Sequence, residues 1–146
     1  MFFPAALHKD PDTSYGVTIP DLPGCFSWGD TIDEAIANAT EAIECHVEAL
    51  LMDSEDVPLP GTVEQYRMLR DYETATWVLV SVDLSKISGI SKRVNISLPE
   101  RILGRIDAFA ERQGETRSGL LVAAALEYIG SHSSGTDERY KVRNDA

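Results

Sequence analysis

Apolar residues in this chain change their period several times, and each change predicts an element. Phe2 to His8 is a short apolar run, followed by the turn signal Asp10-Pro11-Asp12 and by Tyr15-Gly16-Val17-Thr18-Ile19. Pro20-Asp21-Leu22-Pro23-Gly24 forces a second turn, and Cys25-Phe26-Ser27-Trp28 reads as a third strand. Thr31 and Glu34 then stand at capping-box spacing. Behind them Ile32, Ile36, Ala39, Ile43, Val47 and Leu50 recur at steps of three and four, the stripe of an amphipathic helix reaching about Met52. Asp53 to Gly61 is a polar, proline-containing loop, Thr62 to Arg70 a short helix, and Trp77 to Leu84 a strongly apolar strand. The first half therefore reads β-β-β-α-(α)-β: an α+β module, one sheet backed by a long helix.

Residues 86–91, small and polar with one glycine, read as a linker. Arg93-Val94-Asn95-Ile96-Ser97-Leu98 alternates polar and apolar, as a half-buried strand does. Pro99 stops it, and Ser97 and Glu100 offer a second capping-box spacing. Ile102, Ile106, Phe109 and Ala110 mark one face of a helix to about Gln113, which Gly114 closes. Thr116 and Ser118 are candidate caps for another helix, with Leu121, Ala124, Ala125, Tyr128 and Ile129 on its inner face. Ser131 to Ala146 is polar and aperiodic, a loose tail. The predicted division is 1–85, a linker at 86–91, a β-α-α unit at 92–130 and a tail at 131–146.

Charge sharpens that division. The net charge of −11 is an average of unlike halves: residues 1–85 hold three basic and sixteen acidic side chains, a net of −13. Residues 86–146 hold ten and eight, a net of +2. Such asymmetry implies two modules with different partners, a basic one for the first half and phosphate for the second. With 43% apolar residues the chain can build a core, yet no run approaches the roughly 20 uncharged apolar residues of a membrane span. MFFPAALHKD lacks the pattern of a secretory leader. Cys25 and Cys45 have no CxxC spacing and read as reduced thiols of a cytoplasmic protein.

The unit at 92–130 poses a physical problem. Side chains alternate along a strand, so Val94, Ile96 and Leu98 share one side that a lone strand cannot bury. Pairing with the same strand of a second copy solves it, with Ile106, Phe109 and Leu121 completing a shared dimer core. The outer face of that two-stranded ribbon would show Arg93, Asn95 and Ser97, each twice. A ribbon of this width fits the major groove of DNA, where arginine pairs with guanine, asparagine with adenine and serine with either. Lys92 and the start of the second helix, Thr116-Arg117-Ser118, are the expected phosphate contacts.

KRVNISLPERILGRIDAFAERQGETRSGLLVAAALEYI, residues 92–129, resembles a ribbon-helix-helix DNA-binding domain over its full length. The resemblance rests on the alternating strand ending in proline, two amphipathic helices, and a glycine turn followed by Thr-Arg-Ser. YGVTIPDLPGCFSWGDTIDEAIANATEAI, residues 15–43, resembles the N-terminal domain of HicB antitoxins, through Pro20 to Gly24, Ser27, Gly29-Asp30-Thr31, Glu34-Ala35 and Asn38-Ala39. HicB proteins join that domain to a helix-turn-helix or a ribbon-helix-helix module, and the two resemblances together cover roughly residues 1–130. They imply an antitoxin that neutralises HicA, a small basic toxin that cleaves RNA, and that represses its own operon. A net charge of −13 suits a basic RNA-binding partner. Asp33, Glu34, Glu41, Glu44 and Glu48 are the candidate toxin contacts. A homodimer through the ribbon strand is expected, and pairing of the first modules as well would make a tetramer. The alternative is a ribbon-helix-helix regulator whose first module senses a ligand or oligomerises, with no toxin.

The resemblance also implies a partial RNase H-like fold for the first module, and RNase H chemistry needs carboxylates converging on two metal ions. Asp10, Asp12, Asp21 and Asp30 are acidic but stand in predicted turns, where capping is their ordinary role. His8, His46 and His132 are scattered and no glycine-rich phosphate loop occurs. No catalytic residue, metal or cofactor is expected.

Overall fold

The computed structural model describes residues 1–87 and 91–132. Its elements run β1 (Phe2–His8), β2 (Tyr15–Thr18), β3 (Phe26–Gly29), α1 (Ile32–Met52), α2 (Val63–Arg67), a 3₁₀ turn (Arg70–Tyr72), β4 (Thr76–Ser81), a second 3₁₀ turn (Leu84–Lys86), α3 (Glu100–Gln113) and α4 (Arg117–His132). The strands form one antiparallel sheet in the order β3-β2-β1-β4. This is the mixed α and β architecture that the hydrophobic pattern predicts for the first half. Half of the linker at 86–91, residues 88–90, and all but two residues of the tail at 131–146 lie outside the described residues. Those two, Ser131 and His132, extend α4.

Register explains the core. Phe3 stands opposite Val80 and Ala5 opposite Val78, so these side chains share the face on which α1 lies. Pro4 tolerates a central strand because β2 pairs with β1 only from Ala6 onward. Thr31 caps α1 by accepting from the Glu34 N–H at 3.1 Å, while the Glu34 carboxylate reaches back to the Asp30 N–H at 2.8 Å. The buried stripe of α1 is Ala35, Ala39, Ile43 and Val47, at strict steps of four, and Ile32 lies outside it. The predicted stripe starts one turn too early because small residues, not the largest ones, meet the sheet at this end. A Cβ on Gly29 would lie 2.4 Å from the Ala35 backbone nitrogen. The predicted helix over Thr62 to Arg70 is two pieces. Thr62 and Gln65 form a full capping box, and the helix breaks after Arg67.

In the second half both helices stand where the pattern places them, but their caps differ. Pro99 is the cap residue of α3, with no side-chain bond, so Ser97 lies two positions too far upstream to form the expected box. Gly114 closes α3 in the left-handed conformation, with φ of 66°. Thr116 caps α4, its hydroxyl accepting from the Gly119 N–H at 2.9 Å. Arg93 to Leu98 forms no strand in the single chain, since a ladder needs a second strand and none lies alongside among the described residues. Meanwhile α4 does not stand apart. Val122, Ala123 and Leu126 pack against the core of the first module. The Thr116 hydroxyl donates to Asp83 at 3.4 Å, and the Met1 amine donates to the Val82 carbonyl and to the Glu115 carboxylate.

Candidate functional site

Two surfaces collect the residues singled out by sequence. On the first, Ser91 to Leu98 runs past α3 and α4, leaving an open groove of about 1270 Å³ between that segment, Leu103, Leu121 and Ala125. Val94 is 74% exposed and Ile96 66%, while Leu98 is half-buried. Phe109 is exposed, and Ile106 and Leu121 are half-buried. Each of the six predicted dimer-core residues therefore retains accessible surface in one copy. Tyr128 and Ile129, on the outward side of α4, are also exposed. Arg93, Asn95, Ser97 and Lys92 stand exposed on the same segment.

The phosphate contacts expected at the start of α4 are already engaged in part. Arg117 grips Asp107 with two parallel bonds, Nε to Oδ1 and Nη2 to Oδ2, both 2.7 Å. The guanidinium holds the Asp107 carboxyl below the usual carboxylate range, and the carboxylate in turn raises Arg117. Both groups are on the surface, so the pair is worth little to stability. It fixes the orientation of Arg117 and partly cancels its charge. The guanidinium carries five N–H groups, so three remain for an anion. Thr116 is similarly committed, to Asp83 and Gly119, although it is exposed, as Ser118 is.

The second surface lies on the first module. Glu34, Glu41 and Glu48 follow one another at intervals of seven, two helical turns, and so form one stripe on α1. Asp33 and Glu44, eleven apart, form another. The structure therefore splits the five acidic candidates into two groups. Of the first stripe Glu41 lies beside β3, where Phe26, Trp28, Glu41 and Cys45 border a shallow groove of about 380 Å³. Phe26 is 64% exposed and Trp28 65%. The Asn38 amide donates to the Trp28 carbonyl at 2.8 Å, tying the helix to the strand edge. Neither aromatic was among the sequence candidates. The signal was present in Cys25-Phe26-Ser27-Trp28, whose alternation puts both rings on one side and Ser27, which bonds the Ala35 carbonyl at 3.1 Å, on the other.

Two of the turn aspartates hold the fold together, and Asp30 does so by accepting from the Ser14 hydroxyl at 2.9 Å. Asp21 is buried and accepts from the Gly61 N–H at 2.7 Å and the Tyr66 hydroxyl at 2.5 Å, pinning the loop after α1 to the turn before β3. Burial, and then the bond to Asp21, push the Tyr66 hydroxyl up to about 12. Tyr66 stacks on Trp77, which meets Tyr72 edge-on, and Tyr72 stacks on His8. Burial likewise pushes the Cys25 thiol up, as expected of an inert core cysteine. Among the described residues no three of His, Cys, Asp or Glu converge as a metal site would require.

Comparison with known proteins adds a family to this geometry. A family model described as the HicB-like antitoxin of bacterial toxin–antitoxin systems matches residues 3–125. A 14.9 kDa protein from the rep–hol intergenic region of Haemophilus phage HP1 is 40% identical over 118 residues, 81% of this chain and 88% of that protein. Antitoxin HicB 1 of Photorhabdus laumondii is 37% identical over 65 residues, 44% of this chain and 42% of that protein. Among solved structures, the antitoxin HicB of Burkholderia pseudomallei superposes with a TM-score of 0.72 at 50% identity, covering 88% of this chain and 98% of that one.

Proposed function

The chain belongs to the HicB-like antitoxin family, and from that premise we propose that it neutralises a small basic toxin through residues 1–85 and represses its own operon through a ribbon-helix-helix dimer formed by residues 92–130. Residues 86–91 link the two and residues 131–146 are a tail. The first module takes the partial RNase H-like fold that the family resemblance implies, a reading supported by the sheet order β3-β2-β1-β4 with one long helix on its face. The protein acts in the cytoplasm without a cofactor and without catalysis of its own.

The observation that carries the repressor half is the exposure of Val94 and Ile96 in a single copy. Contiguous apolar surface on a soluble chain marks an interface. Antiparallel pairing of this segment with its equivalent in a second copy would supply the missing ladder and cover Val94, Ile96 and Leu98 against Ile106, Phe109 and Leu121. Arg93, Asn95 and Ser97 are then left to read bases, with Lys92, Thr116, Arg117 and Ser118 on phosphates. Acidic residues of α1 meet the toxin.

The test uses the full chain and DNA from its own promoter. Arg93→Ala is expected to cost about 1–3 kcal/mol of specific binding and to relax base preference, whereas Arg117→Ala weakens binding to all sequences and flattens the salt dependence. Unchanged gel shifts for both variants would remove the strand-in-groove assignment. Recovery of the chain from its native operon without a stoichiometric small basic protein would favour a regulator that has no toxin.

A further inference from the structure

We propose that the toxin docks on the open edge of β3, with Phe26 and Trp28 as its apolar anchors and Glu41 as the central acceptor for a basic side chain. This rests on the antitoxin reading above and narrows it from an acidic module to one strip of surface.

β3 ends the sheet, with β2 on one side and, among the described residues, no strand on the other. In an antiparallel strand the N–H and C=O of one residue point to the same side, and the side alternates along the chain. The Trp28 carbonyl is met by Asn38 from outside the sheet, so Trp28 and, two residues earlier, Phe26 are the outward-facing residues. The Trp28 N–H and both backbone groups of Phe26 are therefore placed to bond an added strand. Exposed edges are usually blunted by short length, lysine, proline or a bulge. Phe26-Ser27-Trp28-Gly29 is short, but it carries no lysine or proline and presents two large aromatics instead. That combination suits an extended segment held by its backbone and anchored by side chains.

Charge decides what that segment belongs to. Glu41 borders the groove beside the edge, with Glu34 and Glu48 two helical turns away on either side along the same stripe, on a module of net −13. A second copy paired here edge to edge would set these acidic stripes against one another, and nucleic acid would be repelled. A basic protein gains from the same field in both association rate and specificity. Asp33 and Glu44, on the other stripe of α1, lie outside the strip.

The probe is the purified product of the small basic reading frame adjoining this one, titrated against the full chain. Trp28→Ala is expected to weaken binding by about 30-fold or more, as truncation of a buried interface tryptophan does. Glu41→Lys should lower the affinity by about tenfold, mainly through a slower association rate that no longer rises at low salt. Glu44→Lys makes the same charge change on the other stripe and should alter affinity by less than about threefold. Trp28→Phe should restore most of the loss, and circular dichroism of each variant separates a binding defect from misfolding. Wild-type affinity in a folded Trp28→Ala variant overturns the proposal, and so does a Glu44→Lys loss as large as that of Glu41→Lys. If Trp28→Ala dissociates copies of this chain but leaves the toxin affinity intact, the edge is a contact between copies and the assignment is wrong. If the unmodified chain does not bind the basic protein at all, the antitoxin reading falls and takes this surface with it.

Discussion

Gly29→Ala puts the packing of α1 on β3 to a direct test. The added methyl carbon would lie 2.4 Å from the Ala35 nitrogen, 2.8 Å from its Cα and 2.8 Å from the Glu34 carbonyl carbon. All three are backbone atoms of the first helical turn, so no side-chain rotation relieves the clash, and the helix must retreat by roughly 1 Å to restore ordinary contact distances. A gap of 0.5–1 Å already forfeits about a quarter to a half of the dispersion attraction across it. The retreat would loosen the contacts of Ala35 and Ala39 and stretch the Ser27–Ala35 hydrogen bond. Overpacking of this kind costs about 1–3 kcal/mol, and immovable backbone on the receiving side argues for the upper end. For a chain of this length that is a fall in midpoint of roughly 10 °C, measurable by scanning calorimetry. Gly16→Ala is the control, since its nearest neighbour would be the His8 carbonyl oxygen at 4.0 Å, and stability should hold or rise slightly. If Gly29→Ala melts within about 2 °C of the unmodified chain, a loss near 0.5 kcal/mol or less, the close approach of α1 to β3 is wrong, and with it the shape of the groove beside Trp28.

Tyr66 ionises at about 12 in the folded chain against 10 for an unperturbed tyrosine, so the unfolded chain releases this proton first. Its contribution to stability is whole below pH 10 and is lost as the pH rises through 12, a decline that Tyr66→Phe should flatten in denaturant titrations run across that window. Absorbance at 295 nm should show the late-titrating tyrosine, and a normal titration would refute the Asp21–Tyr66 bond. Asp107→Asn frees the Arg117 guanidinium and is expected to raise affinity for duplex DNA of any sequence by roughly three- to tenfold at low salt, with a steeper salt dependence; a loss of affinity in fluorescence anisotropy would mean that the pair serves to position Arg117.

The first module was legible because its signals are local. Turn residues between short apolar runs, one capping box and a long helical stripe fix β1 to α1, and the apolar run from Trp77 identifies β4. What escaped reading depends on residues distant in sequence. Nothing near Ile32 says that a glycine three residues back will bring the helix down on Ala35. Nothing around Asp21 says that it will be buried under Tyr66, 45 positions later. Expected exposure on one helix picks out the acidic candidates, but it does not distinguish Glu41 beside the sheet edge from residues that face away. The two aromatics on that edge give no signal of a site in the sequence, because a strand with alternating large residues reads as core until its place at the end of the sheet is known.

The largest departure concerns α4, and it joins the two halves. Sequence gives this helix one inner face, Leu121, Ala124, Ala125, Tyr128 and Ile129. The structure gives it a second, Val122, Ala123 and Leu126, already packed on the core of the first module. Both faces being apolar, periodicity alone cannot separate a helix with one broad stripe from a helix shared between two cores. The consequence is mechanical. Asp83 stands at the foot of α4, bonded by Ser85 and Thr116, and the absence of a side chain on Gly119 lets its carboxylate approach the first helical turn. A helix held this way cannot shift without disturbing Val82, Asp83 and Leu84, which follow directly from β4. On the antitoxin reading, the outward face of α4 belongs to the DNA-binding dimer while its inward face belongs to the sheet that carries the toxin edge. A partner that displaced β4 against β1 would therefore move α4 with it.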